Sequence, residues 1–159
     1  MMDLFAGCGG LSLGMEQAGF IPIFVNELND DARGSYLLNR DFDLKGKPFN
    51  ERTELHSADI YELTSTRLKK LKKDFLSLGL IEDQGSHTSL DLICGGPPCQ
   101  GYSGIGHRRS YAVEKKDLPS NQLYEKMAEV IDAGGDEYVV KTKVTLGDIV
   151  QKVKDKLGM

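Results

Sequence analysis

The sequence predicts an α/β fold in which helices cover both faces of a parallel sheet, a doubly wound arrangement. Short apolar runs, which suit buried strands, alternate along the chain with stretches that carry apolar residues at helical spacing. Glycine-rich turns follow two of these runs, at Asp3–Gly10 and at Gly95–Ser103. Strands that alternate with helices favour parallel pairing, because each helix carries the chain back to the same end of the sheet. The 159 residues contain no internal repeat and suit a single domain.

The first sixty residues predict two strand–helix units and the start of a third. In chain order these are a strand at Met1–Phe5, a helix at Leu11–Ala18, a strand at Phe20–Glu27, a helix at Asn29–Asn39, a loop over 41–57 and a short strand or turn at Ser57–Ile60. Gly19 ends the first of the two helices. We expect the strands near 2–5, 21–26 and 90–94 to run parallel.

An amphipathic helix is predicted over 62–79, where leucines and Phe75 recur at helical spacing. Lysines at 69, 70, 72 and 73 form its solvated face. A polar loop at Glu82–Ser89 then precedes the strand Leu90–Cys94.

The last forty residues predict a helix at Ser120–Ala133, a β-rich segment at Tyr138–Leu146 and a short helix beyond Asp148. We expect the β-rich segment to cover an apolar edge of the sheet, because an uncovered edge promotes aggregation.

Composition and charge limit the class of protein. The net charge of −4 argues against a strongly basic nucleic-acid-binding protein, although a local basic face at Arg108 and Arg109 can still contact phosphates. No apolar run is long enough for a transmembrane helix and no secretory leader is found, so we expect a cytoplasmic protein without membrane contact. Three cysteines suit a reducing compartment, and their spacing predicts no metal site.

The turn Asp3–Gly10 suits a cofactor. Its small residues let backbone N–H groups approach a ligand, and the start of the following helix favours negative charge. Nucleotide sites, flavin sites and plain tight turns all use a Gly-x-Gly-Gly turn, and the full G-x-G-x-x-G pattern is absent.

Two acidic residues stand at the ends of the next two strands. Glu27 can hydrogen-bond both hydroxyls of a ribose, or it can be a helix N-terminal acid or a surface charge. Asp59 is the second such residue, and its alternative role is a helix cap.

Cys99 has a setting that favours reactivity over a buried structural role. Two prolines fix the backbone ahead of it, glycines flank the segment, and an apolar strand leads into it. A thiol at the end of a parallel strand lies where open α/β sheets place their ligands.

These two turns, in this order, are similar to two motifs of the DNA cytosine-5 methyltransferases. Gly95–Ser103 resembles the family's Pro-Cys loop, and Asp3–Gly10 resembles its motif for S-adenosyl-L-methionine (AdoMet). The resemblance covers roughly residues 1–131 and implies an incomplete fold of the AdoMet-dependent methyltransferase (Rossmann-like) type. It implies methyl transfer from AdoMet to carbon 5 of cytosine through a covalent cysteine adduct. The implied partner is duplex DNA with a flipped cytosine, in restriction–modification, in the bacterial cytoplasm or nucleoid.

The resemblance makes Cys99 the nucleophile rather than Cys8, in the cofactor turn, or Cys94, at the end of a buried strand. The catalytic-loop positions are Pro97, Pro98, Gln100 and Ser103, and the positions expected to contact nucleic acid are Ser103, Arg108 and Arg109. The positions implied to bind AdoMet are Phe5, Ala6, Gly7, Cys8, Gly9, Gly10, Leu11, Glu27, Leu28, Asp59, Ile60, Pro97, Asn121 and Leu123. Among these, Asn121 can equally be a helix N-cap.

The sequence departs from the family pattern after Ile131. The Glu-Asn-Val strand end, whose glutamate holds the flipped base, is not found, and neither are the Arg-rich motif, a target-recognition domain and the late asparagine motif. We therefore expect a partial catalytic domain over 1–131 and an unrelated tail over 132–159. Such a chain should need a complementing C-terminal chain for activity. Two other functions stay open, a non-catalytic AdoMet-binding or scaffold subunit and a tRNA cytosine-5 methyltransferase.

Overall fold

The structure is a computed structural model that describes residues 1–84, 87–88, 90–98, 119–132, 151 and 155. Within them, one sheet has four short strands, which are β1 (Met2–Leu4), β2 (Phe24–Asn26), β3 (His56–Ser57) and the last strand, β6 (Ile93–Gly95). All neighbouring strands are parallel, in the order β3–β2–β1–β6. Between β3 and β6, the chain forms a separate antiparallel pair, β4 (Asp83–Gln84) and β5 (His87–Thr88).

The α-helices in the described ranges are α1 (Gly10–Gln17), α2 (Asp30–Leu38), α3 (Ser65–Ser77) and α4 (Pro119–Asp132). Side-chain caps fix two of their starts. Asn29 accepts a hydrogen bond from the Ala32 N–H at 2.9 Å ahead of α2, and Thr64 accepts one from the Arg67 N–H at 3.3 Å ahead of α3.

The predicted α/β fold with parallel strands is confirmed, although all four strands of this sheet are shorter than predicted. β2 begins at Phe24 rather than at Phe20, although Ile23 already donates to the Met1 carbonyl at 2.9 Å. β6 begins at Ile93 rather than at Leu90. The predictions for the β-rich segment and the short helix of the tail lie outside the described residues, apart from helical positions 151 and 155.

Three local predictions are corrected by the structure, because two predicted loops contain short regular elements and one predicted helix is shorter than expected. The loop over 41–57 contains short 3-10 helices at Phe49–Glu51 and Thr53–Leu55 and ends in β3. A further 3-10 helix at Ile60–Glu62 precedes α3, so the helix predicted over 62–79 begins only at Ser65. The polar loop predicted before β6 contains the β4–β5 pair.

The core packs the strands against the helices and against the segment between α2 and β3. Its largest fully buried side chains include Phe24, Tyr36, Phe49 and Leu71. α4 joins this core through Val130 and contacts the 3-10 helix Ile60–Glu62. Among the described residues, no helix is long and apolar enough to cross a membrane.

The strand order determines where a site can form. The chain runs outward from β1 to β2 and β3, then returns to the other side of β1 as β6. Ligands of open parallel sheets bind at such a reversal, outside the carboxyl ends of the strands. There β1 and β6 are in close contact, because a Cβ at Gly95 would collide with the Leu4 carbonyl and the Gly96 N–H donates to that carbonyl at 3.3 Å.

Candidate active site

The glycine turn after β1 is an open loop. Phe5, Gly7 and Gly9 have positive φ angles of 55°, 57° and 92°. Glycine adopts this conformation freely, whereas for Phe5 it is strained, as is common at functional sites. Among the described atoms, none lies within 4 Å of a Cβ placed on Gly7 or Gly10, so one side of the loop is open to a ligand. Gly10 begins α1, whose free N–H groups favour an anionic group there.

Glu27 lies directly against this loop, and its role as a cofactor-binding acid stays a prediction. Its Oε2 accepts a hydrogen bond from the Gly7 N–H at 2.8 Å, and its Oε1 accepts one from the Asn29 N–H at 2.8 Å. The carboxylate therefore connects the glycine turn to the start of α2 and also serves as the N-terminal acid that was the alternative. Two carboxylate oxygens have about four acceptor positions, so each can still accept a further hydrogen bond.

Asn26, which sequence reasoning missed, holds the ends of β2 and β3 together. Its side chain is 1% exposed, and its Nδ2 donates to Ser57 Oγ and to the Ala58 carbonyl, both at 2.9 Å. A buried amide at a strand end could have been found as a polar residue inside an apolar run. This side chain fixes the position of the segment that carries Asp59.

Asp59 caps the 3-10 helix that follows β3, because its Oδ1 accepts a hydrogen bond from the Tyr61 N–H at 2.9 Å. The cap named as its alternative role is therefore present, and an adenine contact stays a prediction. The neighbouring Ile60 is 3% exposed and belongs to the core, so little of its surface can face a ligand. Leu28, beside Glu27, is 70% exposed and is the better placed apolar surface. Leu11, at the start of α1, is also exposed.

A buried polar cluster lies beneath the glycine turn, and none of its members was predicted. Ser12 of α1 donates a short hydrogen bond to Asp3 of β1, and its Oγ lies 2.8 Å from the Tyr36 hydroxyl of α2. Burial raises the pKa of Asp3 to about 6, against the lowering effects of the Ser12 hydrogen bond and of the Arg40 charge. Burial likewise raises the pKa of Tyr36, so the phenol stays protonated.

The two described cysteines differ sharply. Cys94 of β6 is buried, and its thiol contacts the Met2 carbonyl at 3.5 Å and Asp3 Oδ1 at 3.8 Å. Burial, with the Asp3 charge, raises the pKa of this thiol to about 12, so it stays protonated and unreactive. Cys8 is exposed in the glycine turn. Within the described part of the chain, no group of three His, Cys, Asp or Glu side chains could hold a metal ion.

Of the predicted catalytic-loop positions, the structure describes only Pro97 and Pro98. Pro97 is half-buried and Pro98 exposed, directly after the contact between Gly95 and Leu4. The loop positions Cys99, Gln100, Ser103, Arg108 and Arg109 lie outside the described residues.

Two further predicted cofactor positions lie on α4. The helix begins at Pro119, so Asn121 lies within its first turn, and the alternative of an N-cap at that position is wrong. Leu123, one half-turn further along, is half-buried and packs against the core.

Comparison with known proteins gives consistent matches. Residues 1–134 match the family model described as C-5 cytosine-specific DNA methylase. The chain is 34% identical, over 77% of its length, to the type II methyltransferase M.AgeI of Thalassovita gelatinovora. It is 32% identical, over 74% of its length, to DNA (cytosine-5)-methyltransferase 1 of Mus musculus. It spans 22% of the first protein and 6% of the second, well under half of either relative.

Proposed function

This chain belongs to the C-5 cytosine-specific DNA methylase family, and we propose that it carries the cofactor site and the nucleophile of an enzyme that methylates carbon 5 of cytosine in DNA. The proposal is carried by one observation, the meeting of two turns at the carboxyl edge of the sheet. The glycine turn after β1 holds the Glu27 carboxylate, and beside it the segment Gly95–Pro98 leads to Cys99. Cofactor and nucleophile would then come from adjacent strands.

The residues present fit AdoMet. The open side of Gly7 and Gly10 gives a ligand access to backbone N–H groups, and the start of α1 suits its carboxylate. Glu27 keeps acceptor positions for the ribose hydroxyls, and the exposed Leu28 offers an apolar surface to the adenine. When bound, AdoMet supplies an activated methyl group. We propose the remaining predicted positions, including Asp59 and Leu123, as the outer part of this pocket.

Cys99 supplies the covalent step in this proposal. Carbon 5 of cytosine is a poor nucleophile, and addition of the Cys99 thiolate to C6 makes it an enamine-like carbon that can accept a methyl group. Loss of the C5 proton then reforms the double bond and expels the thiolate. The base must leave the duplex stack to reach the thiol. Pro97 and Pro98 restrict the backbone ahead of Cys99, and Ser103, Arg108 and Arg109 are proposed to contact DNA.

The complete reaction needs groups that lie beyond the matched region. We propose that residues 1–131 form a partial catalytic domain and that a complementing C-terminal chain supplies the base-binding glutamate and the recognition of DNA. The match of the family model to 1–134 supports this boundary. Acid–base help at the base is worth about 10²–10⁴-fold, so the chain alone should be nearly inactive. We place its action in the cytoplasm or nucleoid, where its DNA would be.

Covalent trapping tests the function. DNA with 5-fluorocytosine retains the thioether adduct, because fluorine at C5 cannot leave as a proton does. We expect a faint protein–DNA band from this chain with AdoMet, and a strong band when the C-terminal portion of a family member is added. Cys99→Ala should remove the band, while Cys8→Ala should only weaken it.

A strong adduct that survives Cys99→Ala would overturn the assignment of the nucleophile. No adduct even with the added portion would instead favour a non-catalytic AdoMet-binding subunit. Adducts on RNA but not on DNA would favour the tRNA enzyme.

The cofactor role of Glu27 is tested by calorimetry with AdoMet. Glu27→Ala removes the acceptor of two ribose hydroxyls and the partner of the Gly7 N–H, so we expect affinity to fall by about tenfold or more. Asp41→Ala, which removes an exposed carboxylate, is the matched control and should leave affinity unchanged. Equal affinity in wild type and Glu27→Ala would refute the assigned role.

A further inference from the structure

Arg40 is a buried arginine that directly follows α2, and the roles proposed above do not use it. Its side chain is 5% exposed. Its Nε donates to Glu16 Oε1 of α1 at 2.7 Å, and its two terminal nitrogens donate to the carbonyls of Tyr36 and Gly9, each at 3.2 Å. The guanidinium also lies 3.8 Å from the centre of the Tyr36 ring. One side chain therefore connects α1, α2 and the glycine turn.

The glycine turn packs directly against this guanidinium. A Cβ placed on Gly9 would lie 2.6 Å from Arg40 Nη1 and 2.8 Å from the Tyr36 ring. On Gly7 and Gly10 it would meet open space among the described atoms. The turn thus has one face packed against Arg40 and another that is free. Gly9 is also the N-cap of α1, so its carbonyl sets where that helix begins.

We propose that Arg40 is a positioning residue that fixes the glycine turn in the shape that receives AdoMet, an inference that rests on the proposed cofactor site. The Gly9 carbonyl, which accepts a hydrogen bond from Arg40, fixes where α1 begins and so where its first free N–H groups lie. Arg40 touches the turn from the opposite face and so acts without contact to the cofactor.

The residue type matters for this role. Arginine presents a planar fork of donors that can reach a carboxylate and two carbonyls at once, whereas lysine is a point charge on a flexible stem. The Glu16 carboxylate offsets the charge of the buried guanidinium. Lysine can keep the pair with Glu16 but cannot hold both carbonyls.

Arg52 provides a matched control elsewhere in the molecule. It is 7% exposed and also combines one carboxylate with two carbonyls, Glu54 at 3.3 Å, Leu44 at 2.8 Å and Lys45 at 2.9 Å. These partners all belong to the segment between α2 and β3. Replacing either arginine by lysine therefore removes similar contacts, but only at Arg40 do they involve the glycine turn.

The test compares the full chain as wild type, Arg40→Lys, Glu16→Gln and Arg52→Lys. Three properties are measured, namely the AdoMet dissociation constant by calorimetry, the Gly7 and Gly9 amide resonances by NMR without ligand, and stability to denaturant. For Arg40→Lys we expect an AdoMet dissociation constant about tenfold higher and displaced Gly7 and Gly9 resonances. Glu16→Gln should act in the same direction but less. Arg52→Lys should lower stability without changing affinity or these resonances.

Unchanged affinity and resonances in Arg40→Lys would overturn the proposal, and so would equal changes in Arg52→Lys. If Arg40→Lys does not fold, Glu16→Gln tests the proposal instead. It weakens the hydrogen bond that holds Arg40 Nε and leaves every residue of the glycine turn unchanged. If wild type itself does not bind AdoMet, the cofactor assignment fails by itself. The ligand-free resonances then still decide whether Arg40 sets the turn.

Discussion

The two ends of the parallel sheet have opposite chemistry. Six polar or charged residues are buried in the described ranges. One of them, Arg52, lies in the segment between α2 and β3. The other five lie in β1, β2, β3 or α1 or just after α2, and they are Asp3, Ser12, Asn26, Arg40 and Ser57. At the amino end the buried side chains are instead apolar, although charged residues such as Glu16 and Asp91 are also found there. There the residues ahead of β1, β2 and β6, including Met1, Ile23 and Leu90, line a cavity of about 830 Å³.

The difference shows how one small sheet divides stability from function. Apolar side chains at the amino end contribute stability through burial, with no need for directional partners. At the carboxyl end, every buried polar group must find a hydrogen bond, and Asp3 is held charged at a cost at neutral pH. The polar end therefore orders the turns that face the ligand, and the apolar end offsets that cost.

The largest effect is expected at the apolar end. Ile23 is 5% exposed, and Ile23→Ala should lower the free energy of unfolding by about 2–5 kcal/mol, because it removes a buried side chain beside an existing cavity. Ile21→Ala is the matched control, since Ile21 is 60% exposed, and it should change stability by less than about 0.5 kcal/mol. Denaturant unfolding measures both. Equal losses of stability in Ile23→Ala and Ile21→Ala would show that burial at the apolar end does not contribute to stability.

The next effect concerns the buried charge of Asp3. At neutral pH this charge lowers the stability of the fold, whereas the burial of Ile23 raises it. The pKa of Asp3 is raised to about 6 in the folded state, so between about pH 4 and pH 6 the folded state binds more protons than the unfolded state. The contribution of Asp3 to stability therefore falls as pH rises through this window, by about 3 kcal/mol in all. The stability of wild type minus that of Asp3→Asn should decline by about this amount.

This difference isolates Asp3 from other titrating groups, such as His56, whose pKa is lowered by burial. The groups that face Asp3 are Ser12, Cys94, Arg40 and Glu16, and the substitution leaves them unchanged. A flat difference between wild type and Asp3→Asn across this pH range would mean that the polar end carries no such cost.

The smallest effect sharpens the comparison within the polar end. Gly95→Ala should lower stability by about 1–3 kcal/mol, because its Cβ would collide with the Leu4 carbonyl and force β1 and β6 apart. Gly96→Ala meets open space among the described atoms and should change stability by less than about 0.5 kcal/mol. Thermal or denaturant unfolding separates the two. Equal stability would show that the strands can separate there without loss.

Sequence patterns predicted the features that depend on neighbouring residues. The alternation of strands and helices, the glycine turn and the acid at Glu27 are all local signals, and the structure brings the latter two together. The β4–β5 pair was missed, because short polar segments can form a loop, a turn or a strand pair with similar energies.

The buried cluster beneath the turn could not be predicted for a different reason. Asp3, Ser12 and the pair Tyr36 and Arg40 come from three parts of the chain, and only the two members of that pair stand at helical spacing. Polar residues at helical spacing usually face water, and only the packing of α1 and α2 onto β1 makes these four partners.

The pairing of β1 with β6 also has a consequence for how the protein is made. The Met2 carbonyl and the Cys94 thiol are in contact although 92 residues separate them. At about 5–20 residues per second, a ribosome adds β6 roughly 5 s or more after β1. Until then the edge of β1 that pairs with β6 stays open. The two turns of the site therefore cannot meet before β6 has been made.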